Sequence, residues 1–275
     1  MKYFLDTEFL EGTQFKRFLG IPFSKTKPTI DLISIGIVAE DGREYYAISK
    51  DFNLDEAWNR CDIKDRGIDG VRKEYWIREN VLKPIWIYLA DKQGAKISEY
   101  STWYMGYPHS ILGKIKQFFS SYRRVEEWDF NYRLFKKLLK KYGKTNEQIA
   151  KEVKSFCLIH WEVNDGEKWG KLITPQFYGY MCDFDYVAMT WLFGGMSKWP
   201  DVFPYYFKDL AQMMDRKIDV TQEAIAYMTP DHFNGYTSAE KYIKEHPRYP
   251  NQPGEHNALA DARWNLKLYK FIQSL

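Results

Sequence analysis

Apolar residues are bunched at the start of the chain in a pattern that predicts strands. Tyr3, Phe4 and Leu5 run into Asp6, Thr7, Glu8 and Phe9, which reads as a buried strand with acids at its end. The run Leu32-Ile33-Ser34-Ile35-Gly36-Ile37-Val38 predicts a second buried strand. Asp41-Gly42 is a tight-turn signal, and Tyr45, Tyr46, Ala47 and Ile48 mark a returning strand over 43–49. These three strands predict an antiparallel meander. The Gly-, Pro- and Lys-bearing stretch over 11–29 reads as the loop between the first two.

Beyond residue 50 the apolar spacing turns mostly helical. A short helix or loop is expected over 53–61. A helix starting at Arg72 should end near Lys83, because Pro84 interrupts it. Further helices are expected over 111–122 and 131–142. Thr145 opens another, with Gln148 completing a capping-box pattern. Residues 164–170 are turn-rich. A strand over 176–182 runs into Asp183-Phe184-Asp185, and a helix over 186–193 stops at Gly194-Gly195. Helices over 205–215 and 237–245 follow, then a loop over 247–254 with three prolines. The last helix starts near Asn257, with Leu259, Ala262, Leu266 and Tyr269 along one side. Strands first and then helices alternating with strands predict a mixed α/β layer fold. The expectation is one domain over 1–275, with insertions at about 12–30 and 90–175.

Composition leaves room for a large core, since 45% of the 275 residues are hydrophobic. The 18% aromatic share suits core packing first and stacking on bases second. Net charge is only +3, but cations cluster. Lys16, Arg17, Lys25 and Lys27 have no acid among them over 12–30, and ten Lys/Arg face Glu126, Glu127 and Asp129 over 114–144. Such patches suit a polyanionic partner, and a solvated helix face accounts for the second one equally well. Cys61, Cys157 and Cys182 have no metal-binding spacing. With no leader pattern and no apolar run of about 18 residues, the expectation is a cytoplasmic protein without a membrane span.

The chemistry begins with Asp6 and Glu8. Alternate residues of a strand share a face, so these carboxylates point the same way and repel unless a cation lies between them. A hard divalent ion with oxygen ligands meets that need. An isolated Asp-x-Glu is more often a strand end breaking into solvent, so the pair needs support. Asp185 stands where a strand meets a helix, and Asp261 lies early in the last helix. His256 precedes Asp261 by five residues, about 140° apart on an ideal helix. It is better placed on the preceding loop, free to swing towards a site anchored by Asp261. Four carboxylates and a loop histidine form one coherent set. Asp6, Glu8, Asp185 and Asp261 could hold two Mg²⁺ or Mn²⁺ ions for in-line phosphoryl displacement. Imidazole exchanges protons near neutral pH, so His256 could take the proton of the attacking water. Thr7, Phe9 and Ser34 flank this set and are candidate substrate contacts, Phe9 by stacking on a base.

The order Asp-x-Glu, strand–helix Asp, His-x4-Asp resembles the DEDDh family of 3′–5′ exonucleases, and within it the polyadenylate-preferring RNase AS type. The matching stretches are Tyr3-Phe4-Leu5-Asp6-Thr7-Glu8-Phe9, the run from Leu32 through Asp41-Gly42-Arg43 to Ala47, Asp185-Tyr186-Val187-Ala188, Trp191-Leu192-Phe193-Gly194-Gly195-Met196, and His256-Asn257-Ala258-Leu259-Ala260-Asp261-Ala262-Arg263. The resemblance implies an RNase H-like fold, metal ligation by Asp6, Glu8, Asp185 and Asp261, and His256 as general base. It also implies RNA 3′ ends as substrate, Mg²⁺ as cofactor and a homodimer. Asp183 competes with Asp185, since a strand would put both on one face; Tyr186-Val187-Ala188 favours Asp185. Two other readings keep the fold: a single-stranded DNA exonuclease, and a non-catalytic binding module. The latter would be marked by a lost carboxylate, and none is lost.

Overall fold

A computed structural model describes residues 1–18, 21–65, 71–94, 130–158, 161–162, 171–172, 174–227, 236–252 and 256–275. The helix expected over 111–122 and the loop expected over 164–170 lie outside the described residues. The chain divides into two compact units, Met1–Glu56 with Lys144–Leu275, and Ala57–Gly143. Among the described residues, no helix is long and apolar enough to cross a membrane.

The first unit is built on β1 (Lys2–Gly12). After it come β2 (Phe15–Phe18), β3 (Ile21–Lys25), β4 (Thr29–Ala39) and β5 (Glu44–Ile48). The expected meander is present as antiparallel β1–β4–β5. The stretch read as a loop over 11–29 instead carries a hairpin, β2 against β3. Pro22 is tolerated there because it sits next to a slip in register, where a missing N–H costs little.

The second unit contains a hairpin of β6 (Asp62–Asp65) and β7 (Val71–Glu74). It also contains α2 (Lys83–Lys92) and α3 (Tyr132–Tyr142); α1 (Leu54–Asn59) leads into it. The helix expected from Arg72 to near Lys83 differs at both ends: Arg72 lies in β7, and the helical run passes beyond Lys83. A π segment, Arg78–Leu82, passes directly into α2, which carries Pro84 in its first turn. Proline lacks only an N–H that a first turn leaves unbonded. Trp58, Trp86, Phe130 and Phe135 pack ring on ring. The buried Arg78 guanidinium donates twice to the Trp58 carbonyl, at 2.8 and 2.6 Å.

Back in the first unit, α4 (Asn146–Cys157) starts with the full Thr145–Gln148 capping box. The short β8 (Trp161–Glu162) and β9 (Lys171–Leu172) pair with each other. Then come β10 (Gln176–Gly179), α5 (Asp183–Leu192) and β11 (Lys208–Asp209), with β10 parallel to β1 and β11 parallel to β10. The sheet order is β11-β10-β1-β4-β5, a mixed five-strand sheet with β1 at its centre. The helix expected over 205–215 is α6 (Leu210–Tyr227). It starts late because Asp209 Oδ1 accepts from the Ala211 N–H at 2.6 Å, which caps the helix at that point. The chain ends with α7 (Ala239–Lys244) and α8 (Ala258–Ser274).

Helices cover both faces of the sheet. On one face Tyr3, Leu5, Ile35 and Ile37 pack with Ile149 and Val153 of α4 and Met189 of α5. On the other, Phe4 and Tyr178 pack with Leu210 and Met214 of α6 and Trp264, Leu268 and Phe271 of α8. Burial on both sides is why β1 and β4 are apolar runs rather than alternating strands.

Candidate active site

Asp6 and Glu8 lie on the α8 face of β1. Their partners across the ladder are Gly36 and Ser34. Gly36 explains what happens next. A Cβ at this position would lie 2.3 Å from the Ala258 carbonyl oxygen and 2.4 Å from the Leu259 nitrogen. Only a bare α-carbon lets the first turn of α8 rest on the strand beside Asp6. That contact brings Asp261 over the pair, and carboxylate oxygens of Asp6, Glu8 and Asp261 lie within 4.8 Å of one another. Asn265, one turn further along α8, donates Nδ2–H to the Leu5 carbonyl at 2.9 Å and ties the helix to the same strand.

Asp185 reaches the site from α5. Where β1 runs on past the end of β10, the Thr7 N–H and Oγ1–H both donate to Asp185 Oδ1, at 2.8 and 2.6 Å. Its other oxygen takes no hydrogen bond from the described residues. Asp183 and Asp185 are not on one strand face as the sequence reading had it. Both fall in the first turn of α5, where two residues differ by about 200°. Asp185 is therefore buried and Asp183 exposed.

Asp261 is held from its own loop. Oδ1 accepts from Gln252 Nε2 at 2.8 Å and Oδ2 from the Asn257 N–H at 3.1 Å. Asn257 also caps α8 through its side chain. His256 sits immediately before that cap, half-buried, with φ of 65°. A non-glycine residue in this region is uncommon and strained. The structure thus puts His256 on the loop and Asp261 in the first helical turn.

The three flanking residues have distinct surroundings. Thr7 points to the face opposite Glu8 and is occupied by Asp185. Phe9 stacks on Phe184, 5.8 Å between centroids, and Phe184 is half exposed. Ser34 is fully buried opposite Glu8, with no hydrogen-bond partner for its hydroxyl. Gly36, Gln252 and Asn265 were not singled out by sequence reasoning. The one signal for them is a glycine inside an otherwise apolar strand, which marks a close backbone approach.

No protein-family model matches the chain. Two curated proteins of Mycobacterium tuberculosis do, each named a 3′–5′ exoribonuclease: Rv2179c of strain ATCC 25618 / H37Rv and MT2234.1 of strain CDC 1551 / Oshkosh. Each is 46% identical over 275 residues, covering 100% of this chain and 94% of the relative. The chain belongs to this 3′–5′ exoribonuclease family.

The electrostatics of the exoribonuclease's carboxylates bear on what could bind them. Burial, then Asp185, Glu8 and Asp261, pushes the Asp6 carboxyl well above its ordinary value. Burial, then Asp261 and Asp185, lifts Glu8 to about 8. Burial raises Asp185 against the pull of its two Thr7 hydrogen bonds. Burial also raises Asp261, against the opposing pull of Gln252, Asn257 and His256. Among the described residues no lysine or arginine pairs with any of the four, and Asp6 and Glu8 accept no hydrogen bond at all. Buried carboxyl groups with no lysine or arginine paired to them are a hard-oxygen donor set, which suits Mg²⁺ or Mn²⁺.

A stability prediction follows from Glu8. Its folded-state pKa lies above its ordinary 4.5, so the folded protein holds a proton there that the unfolded chain has released. Metal-free protein should therefore lose stability as pH rises from about 4.5 to 8, by up to about 5 kcal/mol from this group. Glu8→Gln should unfold at a higher temperature than wild type at pH 8 in chelator, and near the same temperature at pH 4. Equal melting temperatures at pH 8 would refute the burial account.

Proposed function

We propose that the chain is a metal-dependent 3′–5′ exoribonuclease of the DEDDh, RNase AS type on an RNase H-like fold, releasing nucleoside 5′-monophosphates from RNA 3′ ends. The observation that carries this reading is the approach of Asp6, Glu8 and Asp261 to within 4.8 Å of one another, with Asp185 near enough to raise Asp6 and Glu8 and no lysine or arginine paired with any of them among the described residues. The names of the two mycobacterial relatives support the same direction of cleavage and the same polymer. The reading includes a preference for adenylate tails, a cytoplasmic homodimer, and one exonuclease domain with insertions at about 12–30 and 90–175.

Asp6, Glu8, Asp185 and Asp261 would hold two Mg²⁺ ions, with Mn²⁺ able to substitute. Bound there, the ions supply Lewis-acid stabilisation of charge on the attacking and leaving oxygens. Thr7 fixes one oxygen of Asp185 and leaves the other available. Gln252 and the Asn257 N–H hold Asp261 in one rotamer. His256, on the loop just before α8, would accept the proton of the attacking water on an imidazole nitrogen. Phe9 and Phe184 form an aromatic pair beside the acids, suited to a terminal base.

The test uses 5′-labelled RNAs that differ only at the 3′ tail, with matched DNA. Products should shorten stepwise from the 3′ end with Mg²⁺, stop with chelator and resume when Mg²⁺ or Mn²⁺ is restored. Cleavage of DNA with RNA spared would overturn the substrate assignment. Equal rates on adenylate and uridylate tails would remove the adenylate preference.

A further inference from the structure

The chain's small net charge conceals two opposite units. Residues 57–143 hold 18 Lys/Arg against 10 Asp/Glu, a net of +8, which leaves the unit that carries the carboxylate cluster at −5 of the chain's +3. The cationic unit therefore carries most of the chain's excess positive charge, the kind of charge that draws a polyanion.

Within that unit the cations are organised on α3. Phe135, Leu138 and Leu139 are its buried side. Arg133, Lys136, Lys137, Lys140 and Lys141 are all exposed, at the i, i+3, i+4, i+7, i+8 spacing that forms one helical face. The helix contains no acid. On α4 and α7, by contrast, lysines have acids one turn away: Lys151 pairs with Glu147, Lys244 with Glu240, and Lys241 with Glu245. On α3, Lys136 and Lys141 bond only to the neutral Tyr132 hydroxyl and Gln93 amide oxygen. No ion pair to Arg133, Lys136, Lys137, Lys140 or Lys141 occurs among the described residues. The row spans about 12 Å along the helix, enough to meet several phosphates of one strand.

We propose that the exposed cationic face of α3 binds the phosphate backbone of single-stranded RNA, a surface that rests on the exoribonuclease reading and adds substrate capture to it. Its contacts are to phosphates, so it holds RNA without reading sequence.

The test is binding and turnover of a 30-nucleotide single-stranded RNA by the full chain across a salt series. In the variant with Arg133→Gln, Lys136→Gln, Lys137→Gln and Lys140→Gln, affinity at low salt should fall about 10–100-fold, and the slope of log K against log salt should flatten by roughly 2–3. Helix propensity changes little from Lys to Gln, and circular dichroism checks the fold. The companion variant Lys136→Arg, Lys137→Arg, Lys140→Arg keeps every charge and should keep wild-type affinity and slope. Unchanged affinity and slope in the Gln variant, while wild type still degrades RNA, would overturn the α3 assignment alone. So would unchanged RNA binding combined with variant-sensitive binding to phosphatidylserine vesicles. Wild type that degrades no RNA would instead sink the exoribonuclease reading.

Discussion

Asp6→Asn should abolish RNA hydrolysis, with turnover falling about 10³-fold or more, while the metal-free protein becomes more stable at pH 8. The two halves have one cause. Asp6 is the carboxylate that all three others push upward, on top of its own burial. As an amide it carries no charge, so the folded state no longer confines a fourth anion. The same amide is a poor ligand for a hard cation, and losing several kcal/mol of transition-state stabilisation corresponds to a rate loss of that size. RNA binding should persist, because backbone contacts are made by other residues. Single-turnover hydrolysis with Mg²⁺ and thermal unfolding in chelator read the two effects separately. Retained turnover would contradict the metal assignment. Loss of activity together with loss of stability would point to a structural role instead.

Gly36→Ala should be nearly as damaging to activity, although Gly36 carries no chemistry. The new methyl group would meet backbone atoms of Ala258 and Leu259 at 2.3–2.4 Å, and backbone cannot swing aside as a flexible side chain can. The start of α8 must lift by about 1 Å, taking Asp261 with it. Overpacking of this kind costs roughly 1–3 kcal/mol. A misplacement of that size can cost about 10²-fold in rate. The expected result is a folded protein with intact Asp6, Glu8, Asp185, Asp261 and His256, a modestly lowered urea midpoint, and kcat/KM down about 10²-fold. Wild-type activity in this variant would show that α8 need not touch β4 to hold Asp261.

These variants also mark where local pattern ends. The meander over 2–48 is legible because each strand is a short apolar run bounded by turn chemistry, and Asp41-Gly42 leaves one way to connect two of them. The Thr145–Gln148 box is legible because capping is settled within four residues. Pro84 misleads, because a proline that stops one helix can equally open the next, and the π segment ahead of it has no sequence signature. The hairpin over 15–25 is missed because its Gly and Pro suggest a loop, yet a two-strand ladder tolerates a proline beside a register slip.

By itself the sequence determined that Asp6 and Glu8 share a face, because strand periodicity is a property of the backbone alone. It likewise determined that His256 and Asp261 cannot share one, because five residues on a helix turn them apart. Only the tertiary structure decided which of Asp183 and Asp185 is buried. That choice depends on where the helix begins, and one turn of helix buries one acid against Thr7 and leaves the other in solvent. Only the tertiary structure decided that Asp261, some 250 residues from Asp6, reaches the same few ångströms. The reason is steric: a glycine on one strand lets a helix end settle where any side chain would hold it off.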